Sequence, residues 1–332
     1  VTTGVQNVLI GGLAGDALTD ADYNVALGHG ALSTDTLGST SIAIGTNALA
    51  TQNFTTATNA YNTAVGDSAG VSVTTGTLNT LIGGLAGDAL TDSDRNTAIG
   101  YNALSSDTLG QYNTAVGFGS FTTQNFTTAT NSYNTGLGYQ AGMLVTTGVQ
   151  NTLIGGLAGD ALTNADYNVA VGGYALTSDT LGSRAVAIGY AALENQNFTT
   201  ATNSYNIGIG WNTGGAITTG TGNTLIGSLA GDALTVSVDN VAVGINALGS
   251  DTAGQNSVAI GAGALQTQNF TTATNAYNVA VGFDAGTAVT TGIRNTLMGS
   301  QAGDALTDAD DNVAVGALAL SADTLGSKST AI

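Results

Sequence analysis

The chain has 332 residues, of which 49 are Gly, none is Pro or Cys, and only 8% are charged. Its 22 acidic residues against four basic ones give a net charge of −18, which leaves no basic patch for phosphates and excludes nucleic acid and anionic membrane surfaces as partners. Without Cys there is no disulfide framework, no apolar run approaches the roughly 20 residues of a membrane span, and 42% apolar content excludes wholesale disorder.

In chain order, the first element opens at Asn7, as Asn7-Val8-Leu9-Ile10-Gly11. The same N-x-x-x-G frame restarts at Asn24, Ser41, Asn62 and Asn79, at intervals of 17, 17, 21 and 17, which together make a 72-residue unit. Asn79, Asn151, Asn223 and Asn295 follow with this 72-residue period, and so do the QNFTTATN segments at Gln52, Gln124, Gln196 and Gln268. Eighteen frames are complete and a nineteenth is cut off at Ile332, so residues 1–332 read as one continuous repeat array excerpted from a longer chain. A 17-residue repeat is too short for a helical hairpin, and Gly in every copy opposes helix. The expected fold is all-β, a parallel β-solenoid whose 17- and 21-residue coils each hold two short strands and two turns.

Within each frame the second residue is Val, Ile or Thr, the third Ala, Leu or Gly, and the fourth aliphatic or Met. Alternation along a strand sends positions two and four to one face, here assigned to the lumen, with Thr at position two expected inward because it exchanges with Val and Ile. Position three then faces out, yet it is never polar. This predicts that Ala26, Ala43, Leu81 and Ala98 lie at an interface covered by identical chains. After the Gly, an Ala three residues on opens a predicted second strand, as in Ala103-Leu104-Ser105-Ser106, and T-x-G turns close the coil. Asn side chains at the coil starts are expected to bond to one another along the stack. Stacking at about 4.8 Å per coil predicts a rise of roughly 19 Å for each 72-residue unit.

Ser257-Val258-Ala259-Ile260-Gly261 and Ala185-Val186-Ala187-Ile188-Gly189 resemble the head repeats of trimeric autotransporter adhesins, and Asn96 to Tyr101 is similar to repeats of marine phage tail-fibre-like proteins. The resemblance implies a left-handed parallel β-roll, three chains side by side, and display outside the cell, on a cell surface or a virion. It makes the expected function a structural extracellular fibre built from stacked coils and laterally packed identical chains. The alternative is an adhesin or tail-fibre shaft whose tip, binding a cell-surface or carbohydrate receptor, lies outside this segment.

Chemistry is sparse. His29 is the only histidine and Trp211 the only tryptophan, and neither recurs at equivalent positions. A carbohydrate-cleaving groove needs paired carboxylates on one face, and Glu194 is the only Glu, so no catalytic residue or cofactor is assigned. Asp20 and Asp22, Asp92 and Asp94, and Asp308 and Asp310 resemble the start of a calcium loop, but the downstream Gly and bidentate Glu are missing. A solvated acidic turn is the expected reading. Asn53, Asn125, Asn197 and Asn269 open N-F-T glycosylation sequons, read here as loop residues. The four additional residues of each long coil are expected to bulge at a turn. There Phe54, Phe126, Phe198 and Phe270 form either a contact stripe or, as favoured here, staples tucked under their own loops.

Overall fold

The computed structural model describes all 332 residues, without a helix, and the chain falls into two compact units, Val1–Asp166 and Tyr167–Ile332. Each unit is by itself a parallel β-solenoid. In the first, nine three-residue strands from Val8–Ile10 to Thr152–Ile154 follow one another at the coil interval. Each pairs in parallel with the next at the same coil position, so that Val8 meets Val25, Val25 meets Ile42 and Ile42 meets Thr63. The second unit repeats this from Val169–Val171 to Val313–Val315 and adds the two-residue strand Thr330–Ala331. The 21-residue coils keep the register, as Ile42 with Thr63 and Val186 with Ile207 show.

β-Branched residues at positions two and four favour the extended backbone, and the Gly at position five ends it. Gly28 has a φ of +141°, and a Cβ there would lie 2.4 Å from the carbonyl oxygen of Gly45 in the next coil. Only Gly permits this approach.

The predicted second strand does not form. The residue after the conserved Ala takes a left-handed conformation, as at Leu32 (φ 53°) and Leu104 (φ 54°), which no strand accommodates. That stretch is turns, and each coil has one principal strand. The only other strands are pairs of two residues, such as Gly38–Ser39 with Thr58–Asn59, where a long coil follows a short one.

The strand faces are the reverse of those expected. Ala26, Ala43, Leu81 and Ala98 are 0% exposed within the single chain, because position three points into the lumen. They are core residues, not interface residues. Positions two and four point outward and carry much of the exposed aliphatic surface, with Ile10 at 58%. Two kinds of coil fill the lumen with compensating residues at positions nine and twelve. Where position nine is Gly, as at Gly87, position twelve is apolar, as at Leu90, and a Cβ on Gly87 would press on Leu81 and Leu90 at 2.8 Å. Where position nine is Leu, as at Leu104, position twelve is Asp or Gln, as at Asp107 and at Gln124 beyond Phe121. Small and large interior residues thus compensate one another from coil to coil.

The Asn residues bridge coils differently from expectation. Asn24 donates its backbone N–H to Asn7 Oδ1 (2.9 Å) and its Nδ2 to the Gly38 carbonyl of its own coil (2.9 Å). The pattern recurs at Asn79 and Asn96, and at Asn223 and Asn240. The ladder therefore runs mainly from backbone to side chain. Direct Asn–Asn side-chain bonds occur as additions, as from Asn223 Nδ2 to Asn206 Oδ1 (3.2 Å).

Candidate interaction face

His29 is exposed on its own coil and Trp211 is 52% exposed. Nowhere do three His, Cys, Asp or Glu side chains converge as metal ligands would. The six acidic candidates are instead engaged by the preceding coil. Asp22, Asp94 and Asp310 accept the backbone N–H of Val5, Thr77 and Ile293, at 2.7, 2.7 and 2.9 Å. Asp20, Asp92 and Asp308 accept the hydroxyls of Thr3, Thr75 and Thr291, each at 2.7 Å. Each pair thus bonds to the neighbouring coil's backbone and hydroxyls.

The four phenylalanines are tucked under their own loops. Phe54, Phe126, Phe198 and Phe270 are only 5–7% exposed, which removes them as a contact stripe. Phe54 lies over Gly38, where an added Cβ would come within 2.7 Å of its ring. Beneath it sits a buried polar cluster that the reading of the sequence did not include. Asp35 Oδ1 accepts the N–H of Gly38 (2.9 Å) and of Phe54 (3.1 Å), and Asp35 Oδ2 accepts Gln52 Nε2 (2.6 Å). Gln52 Oε1 in turn accepts Asn62 Nδ2 (2.8 Å). The same Asp–Gln–Asn chain recurs at Asp107, Gln124 and Asn134, and again at Asp179, Gln196 and Asn206. Burial pushes the Asp107 and Asp179 carboxyls above the usual carboxylate range, against the opposing pull of the Gln and backbone donors. The signal for this cluster was a Gln one short coil's length after each such Asp, once in every repeat unit.

What remains outside is one face of each unit. Its floor is the outward row of positions two and four. In six successive coils, from Thr63 to Thr152, this floor is Thr beside an aliphatic residue. Two rows flank it. The leading row is the residue just before each coil start. Its members all have positive φ, for example Tyr23, Tyr61, Arg95, Tyr112 and Tyr133, at 50° to 61°. The trailing row is the residue just after the Gly, and in it Tyr101, Phe118 and Tyr139 stack with centroids 5.7 and 5.6 Å apart, about half exposed. In the leading row Arg95 lies over the Tyr112 ring at 5.3 Å, and Tyr112 meets Tyr133 at 5.1 Å. In the second unit Arg184 lies over Tyr167 at 4.9 Å.

Charge is divided between this face and the rest. All four basic residues, Arg95, Arg184, Arg294 and Lys328, stand in the leading row. From the leading row through position seven, Asp67, Asp239, Asp284 and Asp311 are the only acids. That part of the coil is neutral, and the whole −18 falls on positions eight to sixteen. Comparison with known proteins finds no family model that matches the chain and no curated protein similar to it.

Proposed function

We infer that this chain is a structural element of an extracellular fibre, built by stacked coils and by lateral packing of identical chains, with no catalytic role. The observation that supports this best is the in-register parallel pairing of successive coils within each unit, where every coil offers its neighbour the same strand and most offer it an Asn acceptor. Such a body is extended by adding coils, as a shaft requires. The outward aliphatic rows support the lateral part, since a contiguous exposed apolar face marks an interaction surface. Extracellular placement rests on the resemblance of the S-V-A-I-G and A-V-A-I-G frames to surface-displayed repeats. Electron microscopy and fibre diffraction of the purified chain test the reading. Laterally associated filaments with a meridional reflection near about 4.8 Å are expected. Dispersed single chains at high concentration would overturn it.

A further inference from the structure

We propose that the long coil closes on itself covalently in two of its four copies, through an ester between the Ser41 hydroxyl and the Gln52 side chain and another between Ser257 and Gln268. Each bond forms once, within the chain, and leaves the role of the chain structural.

The buried Asp–Gln–Asn cluster gains a further member in these two coils. Gln52 Nε2, which donates to Asp35 Oδ2 (2.6 Å), also donates to Ser41 Oγ (3.0 Å). Gln268 Nε2 does the same with Asp251 Oδ2 (2.6 Å) and Ser257 Oγ (3.2 Å). All six of these residues are 0% exposed. Each serine hydroxyl accepts from the amide and gives its own proton to no group of the chain. A buried hydroxyl in that state is costly as a hydrogen-bonding group and available as a nucleophile.

The parts that acyl transfer requires are in contact. Negative charge develops on the amide oxygen, and Gln52 Oε1 accepts Asn62 Nδ2 while Gln268 Oε1 accepts Asn278 Nδ2, each at 2.8 Å. Those donors are fixed by second bonds to the carbonyls of Gly76 and Gly292, each at 2.7 Å. A donor held in place in a dry site stabilises a forming oxyanion. The leaving nitrogen is the atom bonded to Asp35 Oδ2, and Asp35 is itself held by the N–H groups of Gly38 and Phe54.

As Ser41 Oγ bonds to Gln52 Cδ, the Asp35 carboxylate takes the hydroxyl proton. It then delivers that proton to Nε2, the C–N bond breaks, and ammonia leaves with the bonding pair. Alcohol and carboxamide become ester and ammonia, with no co-reactant, and Asp35 ends as the carboxylate it was. In water an amide is a poor acyl donor to an alcohol. Here the two groups are held together, which replaces a bimolecular encounter, and escape of ammonia draws the exchange forward. Phe54 and Phe270, 5% and 7% exposed, keep hydrolytic water from the product.

The other two long coils contain the comparison. Asp107, Gln124 and Asn134, and Asp179, Gln196 and Asn206, make the same bonds, but their coils open with Asn113 and Ala185, which have no hydroxyl. The cluster therefore assembles without the serine. Where the serine is present, the ester makes Ser41–Gln52 a closed ring that cannot be drawn out of its coil, and one such ring falls in each compact unit.

Intact-mass spectrometry of the full chain tests the proposal. The expected mass is that of the sequence less two ammonia molecules. Ser41→Ala and Ser257→Ala should each restore one ammonia and the double variant both, and Ala185 shows that the fold accepts Ala at this place. Ala185→Ser should lose a third. Alkaline hydroxylamine, which cleaves esters and spares amides, should convert each linked glutamine to a hydroxamate and release its crosslinked peptide. A chain at full sequence mass, an ammonia loss that survives in the double variant, or no third loss from a folded Ala185→Ser chain would overturn it.

Discussion

At Gly83 the backbone has a φ of +133°, and a Cβ there would lie 2.5 Å from the Gly100 carbonyl oxygen. Gly156, by contrast, has open space around it. Gly83→Ala is therefore expected to destabilise by well over about 1 kcal/mol, and Gly156→Ala to change stability by no more than about 0.5 kcal/mol. Denaturant titration of the two variants checks this. The buried carboxylates give the residue scale a second consequence. Asp107 and Asp179 are raised from 3.8 by burial, and Asp88 and Asp232, less deeply buried, are raised for the same cause. A raised carboxyl means that the folded chain holds more protons than the unfolded one between the ordinary and the raised value. Stability from these groups therefore falls as pH rises through that window, and is regained on acidification. Asp308 and Asp311 are lowered, by Thr hydroxyls and by Arg294 respectively, and act in the opposite sense, but both lie at the surface and are screened by solvent. The expected outcome is a melting temperature that rises from neutral pH toward about pH 4, unlike ordinary acid denaturation. A melting temperature that drops over this range would contradict the assignment.

The long coil is the element in which insertion and core are reconciled. Phe126 is buried while Asp107 takes its N–H and that of Gly110, so the bulge is tied down by one ring and one carboxylate. Phe126→Ala should cost about 3–5 kcal/mol, and Gln124→Leu about 1–3 kcal/mol by stranding Asp107 Oδ2 and Asn134 Nδ2. Thr127→Ala, on the exposed part of the same loop, should be silent. Thermal melts of the three variants rank them. The frame, its 72-residue period and the tucked Phe were legible in the sequence, because Gly, Asn and chain length constrain turns directly. The strand phase was not. Thr at position two, as at Thr63 and Thr80, marked the outside, but its exchange with Val and Ile made it read as inward, and hydrophobicity alone then misleads. What decides the phase is fit inside the lumen: Ala26 and Ala43 are enclosed there, and so is Leu81, whose coil has Gly87 at position nine against it. The compensating changes at positions nine and twelve carried that information, as did the basic residues beside the strand.

Charge dominates at the scale of the whole molecule. The −18 resides on positions eight to sixteen, away from the apolar floor, so repulsion opposes association while burial of the floor favours it. Salt shortens the Debye length from about 30 Å at 0.01 M to about 8 Å at physiological ionic strength. Sedimentation velocity is therefore expected to show more association at the higher salt. Dissociation by salt would mean that ion pairs, rather than the aliphatic rows, hold the copies together.

The Asn side chain at most coil starts carries the same amide group as the backbone, and it accepts an N–H from the coil that follows. Asn7 serves Asn24, Asn24 serves Ser41, and Asn168 serves Ala185 equally well, at 2.8–2.9 Å. The joint is thus blind to sequence. Blocks of four coils can be deleted or duplicated without creating a mismatched seam, since removal or insertion of 72 residues brings together a pair of coil types already present elsewhere in the array. Length in this design is a heritable variable that recombination within the gene can tune, at no cost to the fold.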